Sequence, residues 1–247
     1  MIKIFTDFDG TITLQDVGDA IFETFGGEQC KNIVQAYREG SISAVDCFRQ
    51  ECNACHNVDL DKLNAFIDQQ NIDSSFINFV AYCRQQHLDC YIVSDGMDYY
   101  IKRILDLHGV GDVPFFTNTL RLVPVGETSH VRFEPEFPYT DEMCNRCASC
   151  KRNHLLTMCG EDDIIIYVGE GYSDRCPVQY ADVVFAKDDL LKYCQQENIS
   201  NYEYKTFADI QKRLSHILDN RRADGSVIGL HKRRNAERAR RDVFIGE

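Results

Sequence analysis

An α/β fold, a doubly wound and mostly parallel sheet with a helical subdomain inserted into it, follows from three features of the sequence. Four short runs rich in β-branched and aromatic residues, at positions 2–8, 90–94, 164–168 and 182–185, read as buried strands. Between them apolar residues recur at helical spacing, as in Phe76, Phe79, Val80 and Cys83 and again in Tyr100, Ile101, Ile104 and Leu105. Strands that alternate with helices pack as parallel sheets covered on both faces. The third feature is residues 15–71, which show repeated helical faces and no strand pattern.

Taken in order, residues 1–14 open the core with the first strand. Residues 15–71, with Ile21, Phe22 and Phe25 and then Leu60, Leu63, Phe66 and Ile67 on their apolar faces, are expected to form a helical cap. The core resumes at 72–220, and within it two extended runs at 115–133 suit a β-hairpin flap. Phe207, Ile210, Leu214, Ile217 and Leu218 describe an amphipathic helix that closes the core, and Ala223-Asp224-Gly225-Ser226 breaks it before a basic tail at 221–247.

A chain of 247 residues with 44% hydrophobic content has the material for a sizeable core. No stretch approaches the roughly 20 apolar residues of a membrane span. Met1-Ile2-Lys3-Ile4-Phe5 runs into acidic residues before an export signal takes shape, so a soluble cytoplasmic protein is expected. The formal charge of −12 argues against indiscriminate binding to polyanions. The tail is the exception, with eight Arg/Lys against three Asp/Glu between positions 221 and 242.

Chemistry concentrates where the strands end, the edge at which open α/β sheets bind ligands. The first strand empties into Asp7-Phe8-Asp9-Gly10-Thr11, the second into Ser94-Asp95-Gly96, and a later one into Gly169-Glu170-Gly171-Tyr172-Ser173-Asp174, with Lys151 between them. Several carboxylates supply the hard oxygens that suit Mg2+ with a substrate phosphate. A hydroxyl and an ammonium suit the remaining phosphoryl oxygens. An aspartate is a competent nucleophile once cations offset its repulsion from phosphate, and a second carboxylic acid can protonate the departing alcohol.

These four elements, in this order across nearly all of residues 1–200, resemble the motifs of haloacid dehalogenase superfamily phosphatases, which implies a Rossmann-like core. The resemblance implies that Asp7 is the nucleophile that forms an aspartyl-phosphate and Asp9 the general acid and then base. It implies that Ser94, with Asp95 beside it, and Lys151 hold the phosphoryl group. Mg2+ would be held by Asp7, the backbone carbonyl of Asp9, and Glu170 or Asp174, with Glu170 standing where the family usually has Asp.

The insertion after the first motif is similar to the cap of the phosphoserine phosphatase branch. The run Val93-Ser94-Asp95-Gly96-Met97-Asp98-Tyr99-Tyr100 and the segment Ala186-Lys187-Asp188-Asp189-Leu190-Leu191 resemble the 2-hydroxy-3-keto-5-methylthiopentenyl-1-phosphate phosphatases. The resemblance therefore implies a small phosphorylated metabolite as partner, such as a ketose-1-phosphate. Asp95 replaces a usual glycine, and with Asp174-Arg175-Cys176-Pro177 it is also similar to phosphatases of phosphoethanolamine and phosphocholine, in which an acid faces the amine. Asp16, Asp19 and Glu23 follow the first motif closely enough to face a substrate, although acids in a first helical turn are also favoured by the helix dipole.

Twelve cysteines without an export signal are expected as free thiols or metal ligands, and Cys30, Cys47, Cys83, Cys90, Cys176 and Cys194 read as small core residues. Cys144, Cys147 and Cys150 have the spacing of a zinc half-site whose fourth ligand would be His154, Cys159 or the more distant Cys52 or Cys55. The alternative is a packed thiol loop that positions Lys151. Cys52-Asn53-Ala54-Cys55-His56 matches a haem-attachment spacing by coincidence. A different class of function is a zinc-holding module whose basic tail binds RNA or an acidic protein, with the phosphatase site vestigial. Transfer of the phosphoryl group to an alcohol other than water is the third reading.

Overall fold

The computed structural model describes residues 1–142, 144, 146–219 and 232–245, so much of the expected tail, 220–231, lies outside the described residues. The strands are β1 (Ile2–Thr6), β2 (Val58–Asp59), β3 (Asp89–Met97), β4 (Phe115–Pro124), β5 (His130–Glu136), β6 (Ile164–Gly169), β7 (Val183–Ala186) and β8 (Tyr202–Glu203). The helices of the first part are α1 (Val17–Gly26), α2 (Gln29–Arg38), α3 (Ala44–Ala54), α4 (Leu60–Asp68), α5 (Ser75–Gln85) and α6 (Asp98–Leu107). They are followed by α7 (Lys151–Met158), α8 (Asp188–Gln196), α9 (Phe207–Asp219) and α10 (Arg234–Ile245). The chain divides into two compact units, the first made of Met1–Asp7, Ile72–Ile92 and Lys151–Glu247 and the second of Phe8–Asn71 and Val93–Cys150.

The first unit holds parallel strands in the order β3, β1, β6, β7, β8. Ile4 of β1 stands opposite Cys90 on one side and Ile166 on the other. Ile4, Phe5, Ile92, Ile166, Tyr167 and Val168 are buried, as expected for strands covered on both faces. Because successive strands are laid on opposite sides of β1, the winding direction reverses there, and such a switch point is where α/β sheets open a crevice beyond their strand ends. Asp7 follows β1 directly and Glu170 follows β6, so the topology delivers both carboxylates to that edge. β1 stops two residues short of the apolar run, yet the Asp7 N–H still donates to the Val168 carbonyl at 2.9 Å.

Helices α5 and α9 pack through Phe207, whose ring lies 4.8 Å from that of Phe76 and 5.2 Å from that of Phe79. Asp73 Oδ2 accepts from the Phe207 N–H at 2.7 Å and so satisfies a donor at the start of α9. Part of the basic tail also folds onto this unit. Arg240 of α10 reaches Asp182 Oδ1 at 3.0 Å, and the Arg233 N–H donates to the same oxygen at 3.0 Å. Two of the tail's arginines are thus engaged within the chain.

In the second unit β4 and β5 form an antiparallel hairpin, with Thr119 opposite Glu136 and Pro124 opposite Val131. Gly126 in its turn has φ +64°, a conformation that costs glycine little. β2 adds to β5 through Val58 opposite Val131, so the insertion carries one short strand where the sequence shows only helices. Two residues are too few for an alternating pattern to register. Phe22 of α1 packs against Phe48 of α3 and Phe133 of β5, with ring centroids 6.1 and 6.5 Å apart. Cys30, Cys47, Cys52 and Cys55 are buried in the same unit, where they serve as small apolar residues. No helix among the described residues is long and apolar enough to cross a membrane.

Two measurements test this packing. Phe207→Ala is expected to lower the unfolding free energy by about 3–5 kcal/mol in urea titration, the range for truncating a buried phenylalanine. His154 on α7 is buried, and that burial pushes its pKa down to about 4. Its neutral form therefore favours the folded state: the contribution is complete above the unfolded value of about 6.5 and is lost as pH falls towards 4. Between pH 7 and pH 5 the parent should lose about 2 kcal/mol through this group. His154→Leu should lack that part of the loss, and equal acid sensitivity in both proteins would contradict the assignment.

Candidate active site

Lys151 opens α7 with its side chain 1% exposed. Its ammonium lies 2.8 Å from Asp7 Oδ1 and 2.8 Å from Asp174 Oδ1, and it donates to Ser173 Oγ at 2.9 Å. An ammonium has three N–H groups, so this set satisfies it completely. Asp174 is fully buried. Its Oδ1 also accepts from the Tyr167 hydroxyl at 2.6 Å, while Oδ2 accepts the N–H groups of Glu170 at 2.9 Å and Gly171 at 3.0 Å. Burial alone would raise the Asp174 pKa, but Lys151, Tyr167 and the Gly171 N–H together hold it below the usual carboxylate range. A Cβ on Gly169 would stand 2.5 Å from Asp174 Oδ2, so the approach of this carboxylate to the end of β6 requires glycine.

The carboxylate of Glu170 behaves in the opposite way. Burial first, and then repulsion from Asp174, push its pKa up to about 7, with Lys151 opposing. Asp7 is 5% exposed, so the first unit sets three carboxylic groups around one ammonium.

The second unit builds a separate polar group around Asp9. Asp9 Oδ1 accepts from the Val17 N–H at 3.1 Å and the Gly18 N–H at 3.4 Å, at the start of α1. Oδ2 accepts from the Tyr100 hydroxyl at 2.7 Å and from Ser94 Oγ at 3.4 Å. Burial is the largest influence and pushes the Asp9 pKa up to about 6, against the lowering effect of Tyr100 and the two N–H groups and with a small further rise from Asp19. Ser94 Oγ in turn accepts from the Gly96 N–H at 2.9 Å. Any Cβ on Gly96 would collide with the Tyr100 hydroxyl and stand 2.6 Å from Asp9 Oδ2.

The remaining expected residues fall in several places. Asp95 Oδ1 accepts from the Ser149 N–H at 2.9 Å and its carbonyl accepts from Asn118 at 2.6 Å, which ties β3 to the loop that precedes Lys151 in the chain. Asp16 caps α1, its Oδ1 accepting from the Asp19 N–H at 2.8 Å, which is the helix-dipole reading of that acid. Asp19 and Glu23 pair with Arg38 at 3.8 Å and Lys31 at 3.6 Å.

The zinc expectation for Cys144, Cys147 and Cys150 is not supported. Among the described residues no three His, Cys, Asp or Glu side chains are gathered to hold a metal. Cys147 is hydrogen-bonded to Cys144 and Cys150, and those bonds and burial raise its pKa.

Tyr100, Tyr167 and Ser173 escaped the sequence reading. The two tyrosines fit the apolar periodicity of their elements, and only the structure shows their hydroxyls turned to Asp9 and Asp174.

Known proteins resemble this chain over most of its length. A family model described as Putative Phosphatase matches residues 2–212. Pdp3-interacting factor 1 of Schizosaccharomyces pombe is 30% identical over 88% of this chain and 96% of its own length. A 2-hydroxy-3-keto-5-methylthiopentenyl-1-phosphate phosphatase of Bacillus cytotoxicus is 30% identical over 88% of this chain and 98% of its own. A solved phosphoserine phosphatase, captured as an analogue of its phospho-aspartyl intermediate, superposes with a TM-score of 0.64 at 19% identity over 85% of this chain and 97% of that one, and so shares the fold. With these matches the chain belongs to the Putative Phosphatase family and is a phosphatase.

Proposed function

We propose that the protein is a cytoplasmic, Mg2+-dependent phosphomonoesterase that hydrolyses a small phosphorylated metabolite through an aspartyl-phosphate on Asp7. The observation that carries this reading is the ammonium of Lys151 held 2.8 Å from Asp7. A carboxylate meets net repulsion from a phosphate dianion, and a buried ammonium beside it lowers that barrier in a medium of low dielectric. Lys151 is kept in place and charged by Asp174, whose own ionised state is secured by Tyr167 and two backbone N–H groups.

The donor set of the first unit suits a divalent cation. A carboxylate has about four acceptor sites, and those of Asp174 are taken by Lys151, Tyr167 and the N–H groups of Glu170 and Gly171. Glu170 is raised to about 7 by burial and by Asp174, and a cation bound beside it would favour its carboxylate. Asp7 and Glu170 are therefore the side chains that would hold Mg2+, joined by the Asp9 carbonyl, while Asp174 positions Lys151. The ion when bound would supply positive charge to the phosphoryl oxygens.

Asp9 supplies the proton to the departing alkoxide. Its pKa near 6 leaves a usable acid fraction at neutral pH and a competent base once the proton has gone, the range in which one carboxyl serves both steps. Ser94 contributes a hydroxyl to the phosphoryl oxygens. Support for a ketose-1-phosphate substrate comes from the name of the Bacillus cytotoxicus relative, and support for an amino-alcohol phosphate from the surplus of acids in the second unit.

The test is phosphate release from a ketose-1-phosphate, phosphoserine, phosphoethanolamine and phosphocholine, with and without Mg2+. Asp7→Asn should reduce release at least a thousandfold with unchanged thermal stability, because the amide is a poor nucleophile; a folded variant that turns over at the parent rate would overturn the mechanism. Tyr100→Phe removes a hydrogen bond that favours the Asp9 carboxylate, so the Asp9 pKa should rise. The acid form would then persist to higher pH, and the alkaline limb of kcat should move upward, whereas an unmoved limb would exclude Asp9 as the proton donor.

A further inference from the structure

Within the helical part of the second unit lies a cavity of about 130 Å³, lined among others by Asp19, Glu23, Cys30, Lys31, Arg38 and Glu51. Its volume equals about four water molecules at roughly 30 Å³ each. The acids around it are not equally served. Glu23 pairs with Lys31 at 3.6 Å and Asp19 with Arg38 at 3.8 Å, and both cations are well exposed. Glu51 is different. It is 2% exposed, one carboxyl oxygen contacts only the Cys47 thiol at 3.7 Å, and the other, Oε1, is buried with no hydrogen-bond partner. A buried acceptor left unmade costs about 1–3 kcal/mol, so an orphan of this kind asks for a donor.

We propose that this cavity is a binding site for a compact alkylammonium group, held by Glu51 at its floor and by Asp19 and Glu23 at its sides. The pairing favours a cation at Glu51, since the two basic residues of the lining each already pair with another acid and Glu51 alone lacks a basic partner among them. The scale suits a small head group such as an ethylammonium. An ammonium is preferred over a divalent metal, since two of the three acids are already paired with Arg38 and Lys31. Burial, with the charge of Asp19, pushes the Glu51 pKa up to about 8, so the group is mostly protonated at neutral pH and a cation bound beside it would draw it to the carboxylate. Asp19 also raises Asp9, so the charge of this cavity is felt at the proposed proton donor of the same unit.

An ammonium can arrive free or as one end of a phosphate ester, and the experiment separates the two. Calorimetric titration of the full chain with ethylammonium chloride, at constant ionic strength, should show saturable binding that ethanol does not. Glu51→Gln, nearly isosteric, should weaken it at least tenfold, and Glu51→Leu should do the same while thermal unfolding confirms that both variants fold. Equal binding by the parent and both variants, binding of ethanol as strong as of ethylammonium, or saturation of the cavity by Mg2+ alone would overturn the proposal. The second arm compares phosphate release from phosphoethanolamine and ethyl phosphate. A tenfold fall of that ratio in Glu51→Gln would place the ammonium on the substrate, and an unchanged ratio alongside lost ethylammonium binding would make the ligand a separate amine. This arm alone rests on the proposed hydrolysis, and release from ethyl phosphate by the parent shows that reading to hold whatever the ratio does.

Discussion

The ammonium of Lys151 sits in the interior of the first unit with two carboxylates and a hydroxyl for its solvent. A charge so placed is tolerated only where its partners replace what water supplied. Each partner carries its own dependence: Asp174 needs Tyr167 and the turn after β6, that turn needs Gly169, and Asp7 needs the register of β1 against β6. The fold of this unit can be read as the scaffold that brings one cation and three acids together at the end of two neighbouring strands. Replacing any one of them leaves the others with uncompensated charge, so their effects on stability and activity should be strongly non-additive.

Where carboxylates occupied both units, the surroundings separated their behaviour. Asp174 is held ionised by an ammonium and saturated with donors, Asp9 is drawn up by burial to about 6, and Glu170 rises to about 7 through burial and the charge of Asp174. Similar side chains thereby differ in protonation at a single pH, as the proposed roles of lysine positioner, proton carrier and metal ligand require. This division is the general route by which one site runs acid, base and nucleophilic chemistry at a single pH.

Much of this was legible in the sequence because chemistry and fold share a signal. Asp7, Ser94 and Glu170 stand where apolar runs end, so finding the strands finds the carboxylates and the hydroxyl. Tyr100 and Tyr167 could not be found in that way, since a tyrosine ring satisfies the periodicity of a buried element whatever its hydroxyl does. Asp16 and Asp95 show the reverse difficulty. Their positions suggested substrate contacts, and the structure adds backbone partners that the sequence does not show, a nearby N–H for Asp16 and the distant Ser149 N–H for Asp95. The cysteine loop had a metal-like spacing, but thiols that bond to one another look the same in sequence as thiols that bind zinc. Glu51 was invisible for a related reason, as nothing in a helical pattern tells a satisfied acid from an orphaned one.

The return of α10 has a consequence for how the chain tolerates being shortened. Asp182 is buried at the start of β7, where Oδ2 accepts from Ile165 at the beginning of β6 and the other oxygen receives Arg240 and the Arg233 N–H. These bonds clamp the entry ends of two strands whose exit ends carry the catalytic loop. A truncation that removed Arg233 and α10 would take these donors from a buried acid far from the exit ends of the strands. A chain shortened in this way would keep its strand ends but become the less durable copy, the one that cellular quality control removes first.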